Sequence, residues 1–216
     1  MPIQETRLAL RAIVFDYGMV LTGPQDPAAH AELVRLIGLP FNRFEELYWA
    51  DRHAYDEGKL TGFQFWQKLV REGGLTRSQA EIQHLIFLDG QMWSTVNDRM
   101  VAWQVQLKKH GLLTGILSNM GDSVLEALLA THSWIANFDV HVWSYQLLMA
   151  KPDPAIYRHI LAKLGTQPEE TLFLDDRLEN IVAARDLGIQ AIQFSNADTL
   201  RQELIAAGLD AELPLP

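Results

Sequence analysis

The sequence predicts an α/β protein, a parallel sheet covered by helices on both faces, with a separate helical unit inserted near its start. Three observations predict it: apolar runs of strand length recur along the chain, amphipathic helical stretches separate them, and one interval between runs is far too long for a single connection. The runs are AIVF (12–15), LTGIL (113–117), FDVHVW (138–143), TLFL (171–174) and QAIQF (190–194). Between them lie DSVLEALLATH, PAIYRHILAKLG and NIVAARDLG, with DTLRQELIAAG after the last. Three of these helices close on a glycine suited to a left-handed cap, Gly165, Gly188 and Gly208. Buried strands alternating with helices imply parallel pairing, because parallel neighbours need a crossover and antiparallel ones do not.

The interval 16–112 breaks the rhythm, since one crossover needs only about a dozen residues or more. From 25 to about 90 it reads as four helices: PAAHAELVRLIG, FNRFEELYWADRHAYDEG, TGFQFWQKLVREGG and TRSQAEIQHLIFLDG. Thr61 with Gln64, and Thr76 with Gln79, have the spacing of a capping box at the start of the third and fourth. Trp49, Phe63, Phe65, Trp66 and Phe87 give the insert apolar material of its own. The expected division is an α/β core of 1–22 and 93–216, and a helical cap of 23–92 lying over the carboxyl edge of the sheet.

Composition narrows the function. A chain of 216 residues with 48% hydrophobic content can bury a core. Its formal charge of -9 argues against a nucleic-acid partner, which needs clustered Lys and Arg. The absence of cysteine removes disulfides and thiolate metal sites and fits a reducing compartment. The N-terminal stretch carries Glu5, Arg7 and Arg11 within its apolar pattern, unlike a secretory leader, and no apolar run approaches the ~20 residues that span a bilayer. The expectation is a cytoplasmic protein with no membrane partner; oligomeric state is not legible.

In an open α/β sheet, ligands bind beyond the carboxyl ends of the strands. Strand one ends in Asp16, strand two in Ser118 and Asn119, strand three leads to Lys151, and strand four ends in Asp175 and Asp176. Each has an ordinary reading: Asp16 as a turn former, Ser118-Asn119 as a helix start, Lys151 as a solvated loop charge, Asp176 with Glu179 as a capping box. Those readings lose jointly, because unrelated turn residues would not supply a nucleophile, a hydroxyl, a cation and paired acids in successive loops. Three carboxylates against one lysine leave an excess of negative charge, and unit charges ~4 Å apart repel by about 4 kcal/mol at an effective dielectric of ~20. A cation with oxygen ligands is required, which favours Mg2+.

These residues resemble the haloacid dehalogenase-like hydrolases. FDYGMVL, LSN, KPDPAIY and FLDDRLENIVAARDLG resemble that family's four motifs, in order and across most of the chain. The resemblance implies a Rossmann-like sheet ordered 5-4-1-2-3 with an α-helical cap after the first motif, and hydrolysis through an aspartyl phosphate. YDEGKLTGFQFW in the cap is similar to the branch holding glucose 1-phosphate phosphatases and the N-terminal phosphatase domain of soluble epoxide hydrolases. It further implies that Asp16 is the nucleophile and, with the Gly18 carbonyl and Asp176, a metal ligand, Asp175 acting through water. Ser118, Asn119, Lys151 and the backbone amides after Asp16, at Tyr17 and Gly18, would hold the phosphoryl oxygens, and Asn180 would orient the acidic pair. The implied substrate is a small phosphorylated metabolite, a sugar phosphate among the options.

The sequence departs from the pattern at Gly18, where most phosphatases of this family carry the acid that protonates the leaving oxygen. General acid-base catalysis contributes roughly 10² to 10⁴-fold, a small part of what phosphate ester hydrolysis needs, so the loss is large but not fatal. An acidic leaving group would need less help, and His53 of the cap is a candidate donor. The competing expectation is a phosphate-ligand binding protein that has lost turnover.

Overall fold

The computed structural model describes residues 9–215. Residues 1–8 and 216, which the expected division assigns to the core, lie outside the described residues. Five parallel strands, β1 (Ala12–Phe15), β2 (Leu113–Ser118), β3 (Val140–Trp143), β4 (Thr171–Asp175) and β5 (Gln190–Gln193), form one sheet in the order β3-β2-β1-β4-β5. The implied 5-4-1-2-3 order is therefore the observed one. All four residues of β1 are buried, as befits a central strand flanked by two neighbours.

Strand alternation sends successive residues to opposite faces. Phe15 packs edge-on against Trp103 and Phe138, with ring centroids 5.7 Å apart in both cases. Ala12 and Val14 join a second apolar cluster with Ile156, Ile160 and Phe173. The insert comprises α1 (Pro27–Ile37), α2 (Phe41–Ala50), α3 (Arg52–Asp56), α4 (Gly62–Glu72) and α5 (Gln79–Met92). The helices associated with the sheet are α6 (Asp98–Lys109), α7 (Asp122–Thr131), α8 (Ser144–Leu147), α9 (Pro154–Leu164), α10 (Leu178–Asp186) and α11 (Ala197–Ala206).

Two details of the insert differ from expectation. The second expected helix divides at Asp51, whose backbone (φ -113, ψ 6) leaves the helical path and whose carboxylate is held by Lys68 of α4 at 2.6 Å. Five helices result instead of four. The capping box of α5 is Ser78 with Glu81, not Thr76 with Gln79. The Glu81 carboxylate reaches back to the Ser78 amide at 2.7 Å, a charged acceptor that suits the positive end of a helix better than a neutral glutamine.

The insert shares its apolar interior with the core, as Phe44, Tyr48, Phe65 and Trp66 belong to the same buried cluster as Phe15 and Trp103. Its seats are close. The ring of Tyr55 occupies the space a Cβ would need at Gly121, 2.2 Å away, and a Cβ on Gly90 would meet that of Ala127 at 2.4 Å. The chain crosses between the units on paired backbone: Gly23 N–H donates to the Thr95 carbonyl and Asn97 N–H to that of Leu21, both at 2.9 Å.

Candidate active site

Register brings the polar residues to one edge. Phe15 of β1 stands level with Ile116 of β2 and Leu174 of β4, so Asp16 and Asp175 leave the sheet together, and Ser118 ends β2 one residue further on. The ladder continues one step, with Asp16 N–H donating to the Leu174 carbonyl at 2.8 Å. The chain then makes a wide turn closed by Thr22 N–H on the Tyr17 carbonyl at 3.0 Å. Within it Met19 takes φ 60, and the loop presents Gly18 and Met19 to an open cavity.

Lys151 is the centre of the charge arrangement. Its Nζ lies 2.8 Å from Asp16 Oδ1 and 2.6 Å from Asp175 Oδ2, and its side chain is 1% exposed. Its backbone is fixed by Asn119, which accepts from Lys151 N–H at 2.8 Å and donates to its carbonyl at 2.9 Å. Ser118-Asn119 thus does not start a helix, since Gly121 precedes α7 without a side-chain cap.

The two adjacent acids have different surroundings. Asp175 is fully buried, and both its oxygens accept from Asn180 Nδ2 at 2.9 and 3.0 Å. Oδ1 also accepts from the Arg177 amide at 2.9 Å. Asn180 is in turn placed by its carbonyl, which accepts from the Tyr157 hydroxyl at 3.0 Å. Asp176 is half-buried and lines the cavity. It does not cap α10, where Arg177 holds the cap position without a side-chain bond.

Asp16, Asp175 and Asp176 offer carboxylate oxygens within 4.8 Å of one another. With Lys151 as the cation bonded to this group, negative charge is in excess. Burial, opposed by Lys151 and reinforced by the two other acids, pushes the Asp16 carboxyl up to about 7. Burial and the Asp175 charge also raise that of Asp176. Lys151 is held protonated: burial works against its charge, and the two facing carboxylates outweigh it. Asp16 Oδ1 is occupied by Lys151 and by the Tyr17 amide at 2.7 Å, while Oδ2 takes no partner among the described residues. One oxygen is positioned and the other is left to react or to ligate.

The cavity measures about 590 Å³, room for considerably more than a phosphoryl group. Asp16, Tyr17, Gly18, Ser118, Asn119, Lys151, Asp176 and Asn180 all border it, so of the residues expected to hold metal or phosphate or to orient the acids, all but the enclosed Asp175 do so. The insert forms its other side through Trp49, Arg52 and Asp56, with Trp93 beside them. Trp49 of the insert borders the cavity, while Tyr48, Tyr55 and Trp66 are buried in the apolar core. His53 does not border the cavity: its side chain is 70% exposed and lies 3.6 Å from Glu57. Sequence reasoning missed Arg52. The signal was present, since Asp56 at i+4 and tyrosines at i−4 and i+3 mark a helix face built to hold a guanidinium.

Comparison with known proteins agrees with this architecture. The profile of the haloacid dehalogenase-like hydrolases matches residues 10–188. The chain is 30% identical to bifunctional epoxide hydrolase 2 of Mus musculus over 97% of its own length and 41% of that protein's. It thus spans about two-fifths of the length of the mammalian relatives it matches. A phosphatase of Mycobacterium tuberculosis is 26% identical, with 92% of this chain and 93% of that one covered. Among solved structures, a HAD family enzyme of Bacteroides thetaiotaomicron superposes with a TM-score of 0.76 at 21% identity, covering 91% of this chain and 99% of that one. The same enzyme in complex with magnesium and inorganic phosphate gives 0.74 at 22% identity, covering 89% and 99%. These likenesses concern the fold.

Proposed function

The chain belongs to the haloacid dehalogenase-like hydrolases, and on that footing we propose that it is a magnesium-dependent phosphatase acting on a small phosphorylated metabolite through an aspartyl phosphate on Asp16. We take 23–92 as its cap and the remainder as its catalytic core. One observation carries the reading: a buried carboxylate, Asp16, keeps one oxygen open to a cavity while a buried lysine and a second acid flank it. The phosphatase among its relatives and the magnesium and phosphate bound by its structural neighbour lend support.

The donor set fits magnesium. All ligand atoms are oxygens, the carboxylates already converge, and the raised Asp16 and Asp176 express an excess of negative charge that a divalent cation would remove. Asp16, Asp176 and the Gly18 carbonyl would hold the ion, with Asp175 behind them. Asp175 suits that indirect place because Lys151, Asn180 and the Arg177 amide already occupy its oxygens. Bound there, magnesium supplies charge neutralisation for the phosphoryl oxygens.

The chain's own groups perform the transfer. Asp16 Oδ2 attacks phosphorus, the bond to the leaving oxygen breaks, and that oxygen departs as an anion that takes its proton from solvent water. Lys151 lowers the cost of charging the buried Asp16 and, with the Ser118 hydroxyl and the Gly18 amide, meets the charge spread over the phosphoryl oxygens, the Tyr17 amide being committed to Asp16 Oδ1. Water then attacks phosphorus, the bond to Asp16 breaks, and inorganic phosphate leaves. Because Gly18 contributes no carboxyl group, substrates with acidic leaving groups are favoured.

The test is hydrolysis of an activated aryl phosphate with and without a chelator, and by Asp16→Asn. Turnover should require both the metal and the carboxylate, and turnover indifferent to both would refute the assignment.

A further inference from the structure

We propose that Arg52, Trp49 and Trp93 form a recognition subsite for the leaving group, selecting phosphate esters whose alcohol part is flat, uncharged and carries a hydrogen-bond acceptor. The inference rests on the phosphatase reading and names its substrate class. Arg52 is 7% exposed and borders the same cavity as Asp16. Its Nε donates to both oxygens of Asp56 at 2.9 and 3.1 Å, and its Nη1 to Asp89 Oδ1 at 3.3 Å and to the Tyr48 hydroxyl. Nη2 donates to no described residue, nor is it among the fully enclosed polar atoms that lack a partner. The guanidinium therefore keeps N–H groups for the cavity.

Its orientation is fixed, because the guanidinium carbon lies 5.2 Å from the ring centroid of Tyr48 and 5.3 Å from those of Tyr55 and Trp93. A donor so placed would usually recognise an anion, but here the charge balance forbids it. Asp56 and Asp89 surround the single arginine, so the cluster has no spare positive charge, and a second anion would be desolvated without compensation. A carbonyl or ether oxygen meets no such cost. The neighbouring walls suit a flat apolar body. Trp49 is 48% exposed yet held in place, its indole N–H donating to Glu45 at 3.1 Å and its ring standing edge-to-face with Trp93 at 6.3 Å. Met19, 41% exposed, presents a further apolar side chain on the Asp16 loop.

The test uses Asp16→Asn protein with magnesium, so that affinity is read without turnover. Calorimetry compares methyl 4-(phosphonooxy)benzoate, a neutral ester with a carbonyl acceptor, with the carboxylate analogue 4-(phosphonooxy)benzoate. The ester should bind at least about 10-fold tighter, and Trp49→Ala and Arg52→Lys should each narrow that ratio, a readout that mere loosening of the fold would not move. Equal affinities, tighter binding of the carboxylate, or no measurable binding of either would overturn the proposal. Failure of wild-type protein to hydrolyse either ester, with the binding preference intact, would instead count against the phosphatase reading.

Discussion

Replacing the nucleophile should stabilise the metal-free protein. In Asp16→Asn the amide oxygen can still accept from Lys151 and the Tyr17 amide, the contacts made by Asp16 Oδ1, while the buried charge is gone. The Asp16 carboxyl stands at about 7 against an ordinary value of 3.8, and burial outweighs the attraction of Lys151 in setting it. The folded state thus holds a proton that the unfolded chain releases, and stability is lost as pH rises through the window from 3.8 to about 7. A shift of that size is worth roughly 4 kcal/mol at pH 8. Asp176, also raised, acts in the same direction, and Lys151, raised above its ordinary 10.5, stays charged throughout the window. In chelator at pH 8, thermal unfolding of Asp16→Asn should therefore lie ~8 to 16 °C above wild type. The gap should shrink toward pH 5, and magnesium should close it at pH 8 by stabilising the wild-type protein more. A variant less stable than wild type in chelator at pH 8, or a gap independent of pH, would refute this account of the charge cluster.

Two further outcomes follow from glycines. A Cβ at Gly18 meets nothing within 4 Å, so Gly18→Asp should fold normally; it should bend the pH–rate profile and raise turnover of poor leaving groups by up to ~10²-fold, read from the dependence of kcat on leaving-group acidity. Gly121→Ala should cost about 1 to 3 kcal/mol in chemical denaturation, because its Cβ would overlap the Tyr55 ring, and should speed proteolysis of the cap more than of the core.

Much of the site was legible because its chemistry sits at strand ends, where sequence position fixes spatial position. Once AIVF, LTGIL and TLFL are parallel neighbours, Asp16, Ser118 and Asp175 must share an edge, and the resemblance to a known family supplied the order of the strands. The ordinary readings failed for reasons that only coordinates show. Asn119 spends its side chain on the Lys151 backbone, and Arg177 rather than Asp176 holds the cap position of α10, so neither Asn119 nor Asp176 starts a helix.

The amino-acid sequence by itself determined the sheet, the presence of the insert and the acidic cluster, because periodicity and strand-end chemistry are local properties that survive tertiary packing. Tertiary structure alone decided which face of the insert meets the cavity. Helix faces are set by how α2 and α3 divide at Asp51 and by close seats such as Tyr55 on Gly121, and those depend on residues far apart in the chain. Arg52 becomes a cavity donor only because Asp56, Asp89 and three aromatic rings converge on it, a convergence that no single stretch of sequence encodes.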